Sequence, residues 1–122
     1  MKHRSEGSAV VEFAVVVPLV LVVLVAAVEL VTVARLQLEV THAAREGARQ
    51  AATDVDPANA VAAVRATLPA RIAGDARVSV TRPARVGAQA RVQVVVPYRF
   101  AAALFGGLGV ELGATAVMRV ER

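Results

Sequence analysis

The chain has 122 residues, of which 57% are hydrophobic and 3% aromatic, with a formal net charge of +4 and no cysteine. This length allows one small domain plus an anchor, and the missing thiols exclude disulfides and thiolate chemistry. The arginines are scattered from Arg35 to Arg122 without a dense block, so the positive charge does not predict a nucleic-acid-binding groove.

The first predicted element is an apolar run over residues 8–34, in which only Glu12 and Glu29 are charged. A helix needs about 20 apolar residues to span a bilayer. A cleaved secretory signal has a shorter apolar core of about 7 to 15 residues. The run therefore predicts a retained transmembrane helix over residues 8–34, preceded by a leader of residues 1–7.

The flanking charges predict the orientation of this helix. Lys2 and Arg4 precede the run, and the positive-inside tendency then keeps the N-terminus cytoplasmic and the C-terminal domain extracytoplasmic. Pro18 lies inside the run and removes one backbone donor, so a mild kink is expected there. The chain is predicted to be a single-pass membrane protein.

Glu12 is costly if it faces lipid, and two interpretations of it stay open. It lies four residues after Ser8, on the same helix face. If the chain were cut after Gly7, Ser8 would carry a new ammonium group that Glu12 could neutralise, because ionisable residues in spanning segments are usually paired. Alternatively, Glu12 lies at the level of the lipid headgroups, where its cost is small.

The helix is expected to extend outside the membrane over residues 35–53. One face carries apolar and small residues at helical spacing, namely Leu36, Val40, Ala43 and Gly47, with Ala44, Ala48 and Ala51 beside them. A helical glycine costs about 1 kcal/mol relative to alanine, so close packing is predicted at Gly47. Arg45 and Arg49 are expected on a solvated face, with Arg35–Glu39 and Glu46–Arg49 as pairs.

Residues 54–122 predict a small α+β domain. Asp56 and Pro57 are suited to the start of a short helix that runs from Ala58 to Leu68. Its Val61, Val64 and Leu68 fall on one face, which is expected to cover a sheet.

After Gly74 the hydrophobic period changes to two, which predicts strands. Three such stretches follow, ARVSVTRP, AQARVQVVVPYRF and LGATAVMRVER, linked by RPARVG and AALFGGLGVE. Phe105 and Leu108 in the second link are expected to form an apolar tip. The predicted fold is therefore a long N-terminal helix, a short second helix and a small antiparallel sheet.

The polar residues predict neither a metal site nor a catalytic site. His3 and His42 are far apart in the sequence, and a metal site needs three or four convergent ligands. Ser5, Ser8 and Ser79 belong to no recognisable nucleophile constellation. We expect a structural protein with no catalytic, cofactor or metal residues, no small-molecule substrate and no nucleic-acid partner.

Three stretches resemble a known family. Gly7, four small or apolar residues, Glu12 and Phe13 resemble a type IV prepilin processing site of the tight-adherence (Flp/Tad) branch. The stretch THAAREGARQAA resembles the Ala-Arg-x-Gly-Ala-Arg signature of TadE-like proteins, with Ala44, Arg45, Gly47, Ala48 and Arg49 as its specified positions. The ending GATAVMRVE is similar to that family's C-terminal strand.

The resemblance implies a pilin-like fold and a minor pilin or pseudopilin of a tight-adherence type IV pilus system, used in pilus biogenesis, adhesion and secretion. It implies a prepilin peptidase that cuts the Gly7–Ser8 bond, with Glu12 and Phe13 in processing or assembly. The implied partners are the membrane, pilus subunits and the assembly platform. The alternative is an uncleaved single-pass envelope protein whose outer domain binds a partner.

Overall fold

The computed structural model describes residues 2–101 and 106–122, with side chains from residue 6 onward. In chain order its elements are α1 (Lys2–Thr53), α2 (Pro57–Thr67), α3 (Ala70–Ala73), β1 (Arg77–Thr81), β2 (Gln89–Arg99) and β3 (Gly109–Arg119). This arrangement confirms the predicted α+β fold with a long N-terminal helix and a small antiparallel sheet. The chain divides into an N-terminal unit that ends at Thr32 and a second unit, here called the head, from Val33 to Arg122.

The sheet of the head has the strand order β1-β2-β3, and both pairings are antiparallel. The central strand alternates between buried and exposed side chains along most of its length, so one face of the sheet is packed and the other is solvated. The buried side chains of β2 are those of Ala90, Val92, Val94 and Val96. Val94 pairs with Val78 on one side and Ala114 on the other, which continues the apolar face across all three strands.

Two helical segments cover this apolar face and complete the core. The segment of α1 within the head contributes Leu36, Val40, Ala43, Ala44, Ala48 and Ala51. Helix α2 contributes Ala60 and Val64, and Leu68 follows at its C-terminal cap. The core is therefore built almost wholly from alanine, valine and leucine side chains, whose small size lets the helices lie close to the sheet.

The closest approach in the core is at Gly47. A Cβ atom built on Gly47 would lie 2.4 Å from Cγ2 of Val64 and 3.1 Å from Cγ1 of Val92. Real Cβ atoms do not come as near as 2.4 Å, so α1 can reach both α2 and β2 here only without a side chain. The close packing that the helical glycine predicts is made within the chain's own core.

The C-terminal end of α1 is held by residues from distant parts of the head. The last carbonyls of a helix have no partner within the helix. Here Nε of Arg82 donates to the carbonyl of Ala51 at 2.7 Å, and the amide of Glu121 donates to the carbonyl of Ala52 at 2.8 Å. The Arg82 guanidinium also donates to the carbonyl of Arg122. These bonds tie the end of the helix to the sheet and to the segment after β3.

The turn between α1 and α2 is organised by Asp54. Its carboxylate accepts hydrogen bonds from the amide of Asp56 at 2.9 Å, from Nδ2 of Asn59 at 2.7 Å and from Nε2 of Gln50 at 3.3 Å. The backbone hydrogen bond from Asp56, with those from Asn59 and Gln50, holds the pKa of Asp54 below its ordinary value. Asp56 then caps α2 by accepting from the amide of Ala58 at 2.9 Å.

Several local expectations need correction. The buried face of α2 is formed by Ala60, Val64 and Leu68, while Val61 is half-buried. The short helix α3, which Pro69 begins, was not expected from the sequence. Strand β3 begins at Gly109, earlier than the predicted stretch from Leu112.

Two other expectations concern single contacts. Arg35 and Glu39 form no ion pair in the described residues, whereas Arg49 and Glu46 do. The expected apolar tip includes Phe105, which lies outside the described residues.

Replacing Gly47 with alanine tests the close packing. The added methyl group would overlap Val64, and overpacking of this kind costs about 1–3 kcal/mol. Alanine gains about 1 kcal/mol in helix propensity, so we expect a net loss of roughly 0–2 kcal/mol in the free energy of unfolding. Denaturant unfolding of the full chain in detergent measures it.

The matched control for this prediction is Gly74→Ala. A Cβ atom on Gly74 meets nothing within 4 Å, so that variant should unfold at the same denaturant concentration as the parent chain or slightly above it. The double variant Gly47→Ala/Val64→Ala should lose less stability than the sum of its single variants, because the smaller residue at position 64 makes room for the methyl group. Additive losses would contradict the predicted contact.

The hydrogen bonds of Asp54 predict an acid-sensitive contribution to stability. A carboxylate whose pKa is lowered on folding stabilises the fold fully above its ordinary pKa of about 3.9, and this contribution is lost as the pH falls from there through the lowered pKa. The Asp54→Asn variant should therefore be less stable than the parent near neutral pH, and the difference should shrink in acid. Melting temperatures at stepped pH measure it, with Asp75→Asn as the control because the Asp75 carboxylate accepts no hydrogen bond in the described residues.

Candidate functional site

The N-terminal unit is a helical segment with apolar side chains on all its faces. Most of its large apolar residues are exposed, among them Val10, Phe13, Leu19, Leu24 and Leu30. Within the described residues there is one helix that is long and apolar enough to cross a membrane, found in the stretch Glu6–Thr53. By length and composition this segment fits a single-pass membrane anchor.

The residues of the predicted processing site all lie in α1. Gly7, Ser8, Glu12 and Phe13 are exposed, and Phe13 is exposed to 71%. Ser8 and Glu12 are one helical turn apart and form no hydrogen bond with each other. The carboxylate of Glu12 has no hydrogen bond or ion pair with any residue that the structure describes. The site therefore presents an accessible Gly7–Ser8 bond and an unpaired acid one turn beyond it.

Two other residues of the apolar segment have distinct surroundings. Helix α1 continues through Pro18 without a break. Glu29 is only 8% exposed, and among the described residues it is the charged residue that is buried. The sequence marks Glu29 only as the second charge of the apolar run, and its burial is not apparent from local patterns.

The second motif, Ala44 to Arg49, divides between two faces of α1. Ala44, Gly47 and Ala48 are buried in the core of the head, whereas Arg45 and Arg49 are exposed. The small residues therefore serve the internal packing of this chain. Their arrangement leaves only the arginine side of the motif accessible to another molecule.

The exposed side of this motif carries one ion pair. The guanidinium of Arg49 donates from Nη2 to Oε1 of Glu46 at 2.6 Å and from Nε to Oε2 at 3.2 Å. These hydrogen bonds lower the pKa of Glu46 and raise the pKa of Arg49. Arg45 has no ion pair or hydrogen bond to a described residue. Exposed pairs of this type contribute little to stability.

The described residues contain no group of three or more histidine, aspartate or glutamate side chains that could hold a metal ion. Shallow depressions in this part of the chain include one on the solvated sheet face, beside Arg77, Gln93 and Glu111, and one along Leu24 and Glu29. Arg77 donates to Glu111 across the first depression. Neither brings together a nucleophile and a base.

One apolar N-terminal helix followed by a small α+β head is the arrangement of a protein with a single membrane anchor. Residues 7–49 match the model of a known family, described as TadE-like protein. The matched segment contains the processing motif, the apolar run and the motif from Ala44 to Arg49. The match confirms the TadE-like resemblance for this segment, and residues 50–122 lie outside it. No curated protein and no solved structure matches the chain.

Some positioning residues could not be found from the sequence. Arg82 and Glu121 hold the end of α1, and Nε2 of Gln37 donates to the carbonyl of Gly113 at 2.9 Å. Each contact joins positions that are more than thirty residues apart in the chain. Hydrophobic periodicity carries no signal for such pairs, so only the folded structure identifies them.

Proposed function

We propose that this chain is a minor pilin or pseudopilin of a tight-adherence type IV pilus system, anchored by its apolar helix and used in pilus biogenesis and adhesion. The TadE-like match over residues 7–49 supports this function. The observation that carries it is the exposed, unpaired carboxylate of Glu12, which lies one turn after Ser8 at the start of an apolar helix. A plain anchor has no need of an acid at that position.

In the proposed processing step, water hydrolyses the peptide bond between Gly7 and Ser8. A carboxylate forms on Gly7 and an ammonium group forms on Ser8. The carboxylate of Glu12 then has a partner of opposite charge, either in its own chain or in the neighbouring subunit. Pairing lowers the cost of carrying both charges into a low-dielectric environment.

Gly7 also makes this bond accessible to a peptidase. It lies in α1, and a helical glycine costs about 1 kcal/mol relative to alanine. A Cβ atom on Gly7 would meet no other atom within 4 Å. Local opening of the helix at this bond is therefore easier than in the valine-rich stretch that follows.

In this role the chain is a structural protein that uses no catalytic residue and no cofactor. Its partners are the membrane, a prepilin peptidase, the assembly platform and other pilus subunits. The leader lies in the cytoplasm and the head outside the membrane. Incorporation into the pilus or assistance at the platform would both use the apolar helix as the assembling element.

A second candidate is an uncleaved single-pass envelope protein whose head binds a partner. Glu6 favours it, because an acid directly before Gly7 departs from the basic or neutral residues that related leaders often carry at that position. Under this alternative Glu12 lies at the headgroup level and needs no ammonium group. The two functions differ in the mature N-terminus.

The mass of the mature chain tests the processing step. We expect the intact protein purified from native membranes to begin at Ser8, because the Gly7–Ser8 bond is exposed in a segment that opens easily. Intact-mass spectrometry measures this directly, and a strain without the peptidase gives the uncut reference. A chain that keeps residues 1–7 in the normal strain would favour the uncleaved alternative.

Replacing Glu12 with alanine tests the role of the acid. We expect Glu12→Ala to insert into the membrane normally, since an apolar residue is better tolerated there, and to be absent from sheared pili. Membrane fractionation and immunoblotting of pili measure both effects. Glu39→Ala is the matched control because Glu39 is an exposed, unpaired glutamate of the same helix outside the apolar run. Normal pilus incorporation of Glu12→Ala would remove the basis for the proposed pairing.

A further inference from the structure

The end of the head where β2 passes into β3 carries an unusual set of side chains. The sequence has only four aromatic residues, and two of them, Tyr98 and Phe100, lie here with their rings edge to face at 5.7 Å between centroids. Arg99 lies between them in sequence, is exposed and makes no ion pair or hydrogen bond with a described residue. The sheet thus ends in two half-buried aromatic rings and a cation that pairs with no carboxylate among the described residues.

The link that follows presents further apolar surface. The amide of Phe100 donates to the carbonyl of Leu108 at 3.0 Å, which closes the base of the link. Gly106 and Gly107 have φ values of 57° and 76°, a left-handed conformation that glycine adopts readily. Leu108, directly after these glycines, is 64% exposed. An apolar side chain is therefore held in solvent by a tight turn.

Contacts within the head show that the link between β2 and β3 lies at the end of the head where α1 enters. Gln37 of α1 bonds to Gly113 early in β3, and Ala52 of α1 bonds to Glu121 after β3. The head segment of α1 and β3 therefore run in the same direction. From Gly113 back to Gly109 is about 14 Å of strand, whereas from Gln37 back to Val33 is about 6 Å of helix. The base of the link therefore lies at the same end of the head as Val33, where the chain enters the head.

We propose that this end of the head is a second membrane contact, in which Leu108 inserts into the bilayer interface beside the half-buried aromatic pair and Arg99 binds lipid phosphate. The inference rests on the proposed membrane anchoring but not on pilus function. The apolar run ends at residue 34, just after Val33, so the bilayer surface lies close to the point where the chain enters the head. A lipid surface is thereby continuous with the anchor.

The chemistry of these side chains fits lipid better than water. Tyrosine and other amphipathic aromatic rings are enriched at the membrane–water interface, and the long arginine side chain can extend its charge toward headgroups while its methylene groups stay apolar. Anionic lipids add an electrostatic attraction to Arg99. Such contact would fix the orientation of the head on the membrane.

Single cysteine labels in the full chain test this inference, because the natural sequence has no cysteine. The variants Leu108→Cys, Val86→Cys and Val20→Cys are each coupled to an environment-sensitive dye and placed in vesicles of phosphatidylcholine and phosphatidylglycerol. Lipids with a nitroxide on the upper acyl chain serve as quencher. Val86 is the matched control, since it is 63% exposed and lies in the link between β1 and β2 at the other end of the sheet.

We expect the Leu108 label to be blue-shifted and quenched several-fold more strongly than the Val86 label. Adding Arg99→Gln should weaken the quenching at Leu108 in vesicles with phosphatidylglycerol and leave it unchanged in phosphatidylcholine alone. Equal, weak quenching at Leu108 and Val86 would overturn the inference. A blue-shifted but unquenched Leu108 label would also overturn it, because the contact would then be with protein.

The Val20 label separates this inference from the anchor on which it rests. Val20 lies in the apolar run, and its label should be strongly quenched whenever the chain spans the bilayer. An unquenched Val20 label would refute membrane anchoring itself. Quenching at Val20 without quenching at Leu108 would leave the anchor in place and refute only the second contact.

Discussion

The structure depends on one helix, α1, whose N-terminal segment suits a lipid environment and whose C-terminal segment belongs to a head surrounded by water. Between Val10 and Val31 the large side chains of α1 point outward and are exposed, and moving a fully exposed valine or leucine out of water is worth about 1.5–3 kcal/mol. A helix can accept a lipid environment because its backbone hydrogen bonds are all made internally. Glu12 interrupts this exposed apolar surface, whereas Glu29 is buried, so the two charges of the run need different explanations.

After Val33 the same helix is amphipathic, as helices of water-soluble domains are. One face is buried against α2 and the sheet, and the other carries charged residues such as Arg45. The head is small and has no disulfide, so its core must be dense to be stable. Gly47 provides that density, because it lets the helix approach Val64 and Val92 more closely than any side chain would allow.

Much of this fold could be predicted from the sequence because the strongest signals are local. The length of the apolar run favours a membrane-spanning helix over a shorter signal sequence, and the alternation of valines in β2 with polar residues predicts a half-buried strand. The start of β3 was misplaced because Gly109 continues a glycine-rich stretch that is typical of loops. Helix α3 has four residues, which is too short for a hydrophobic periodicity to show, so the sequence did not predict it. The processing motif from Gly7 to Phe13 stays a prediction, and the state of Glu12 depends on whether the chain is cut, which no pattern in the residues decides.

The bonds at the two ends of the head segment of α1 have a mechanical consequence. Gln37 bonds to β3 and Ala52 bonds to the segment directly after β3, and the helix and the strand run in the same direction. A pull transmitted along the helix would therefore load the helix–sheet contact in shear. The hydrogen bonds at both ends of the segment would then carry the load together, instead of breaking one after the other.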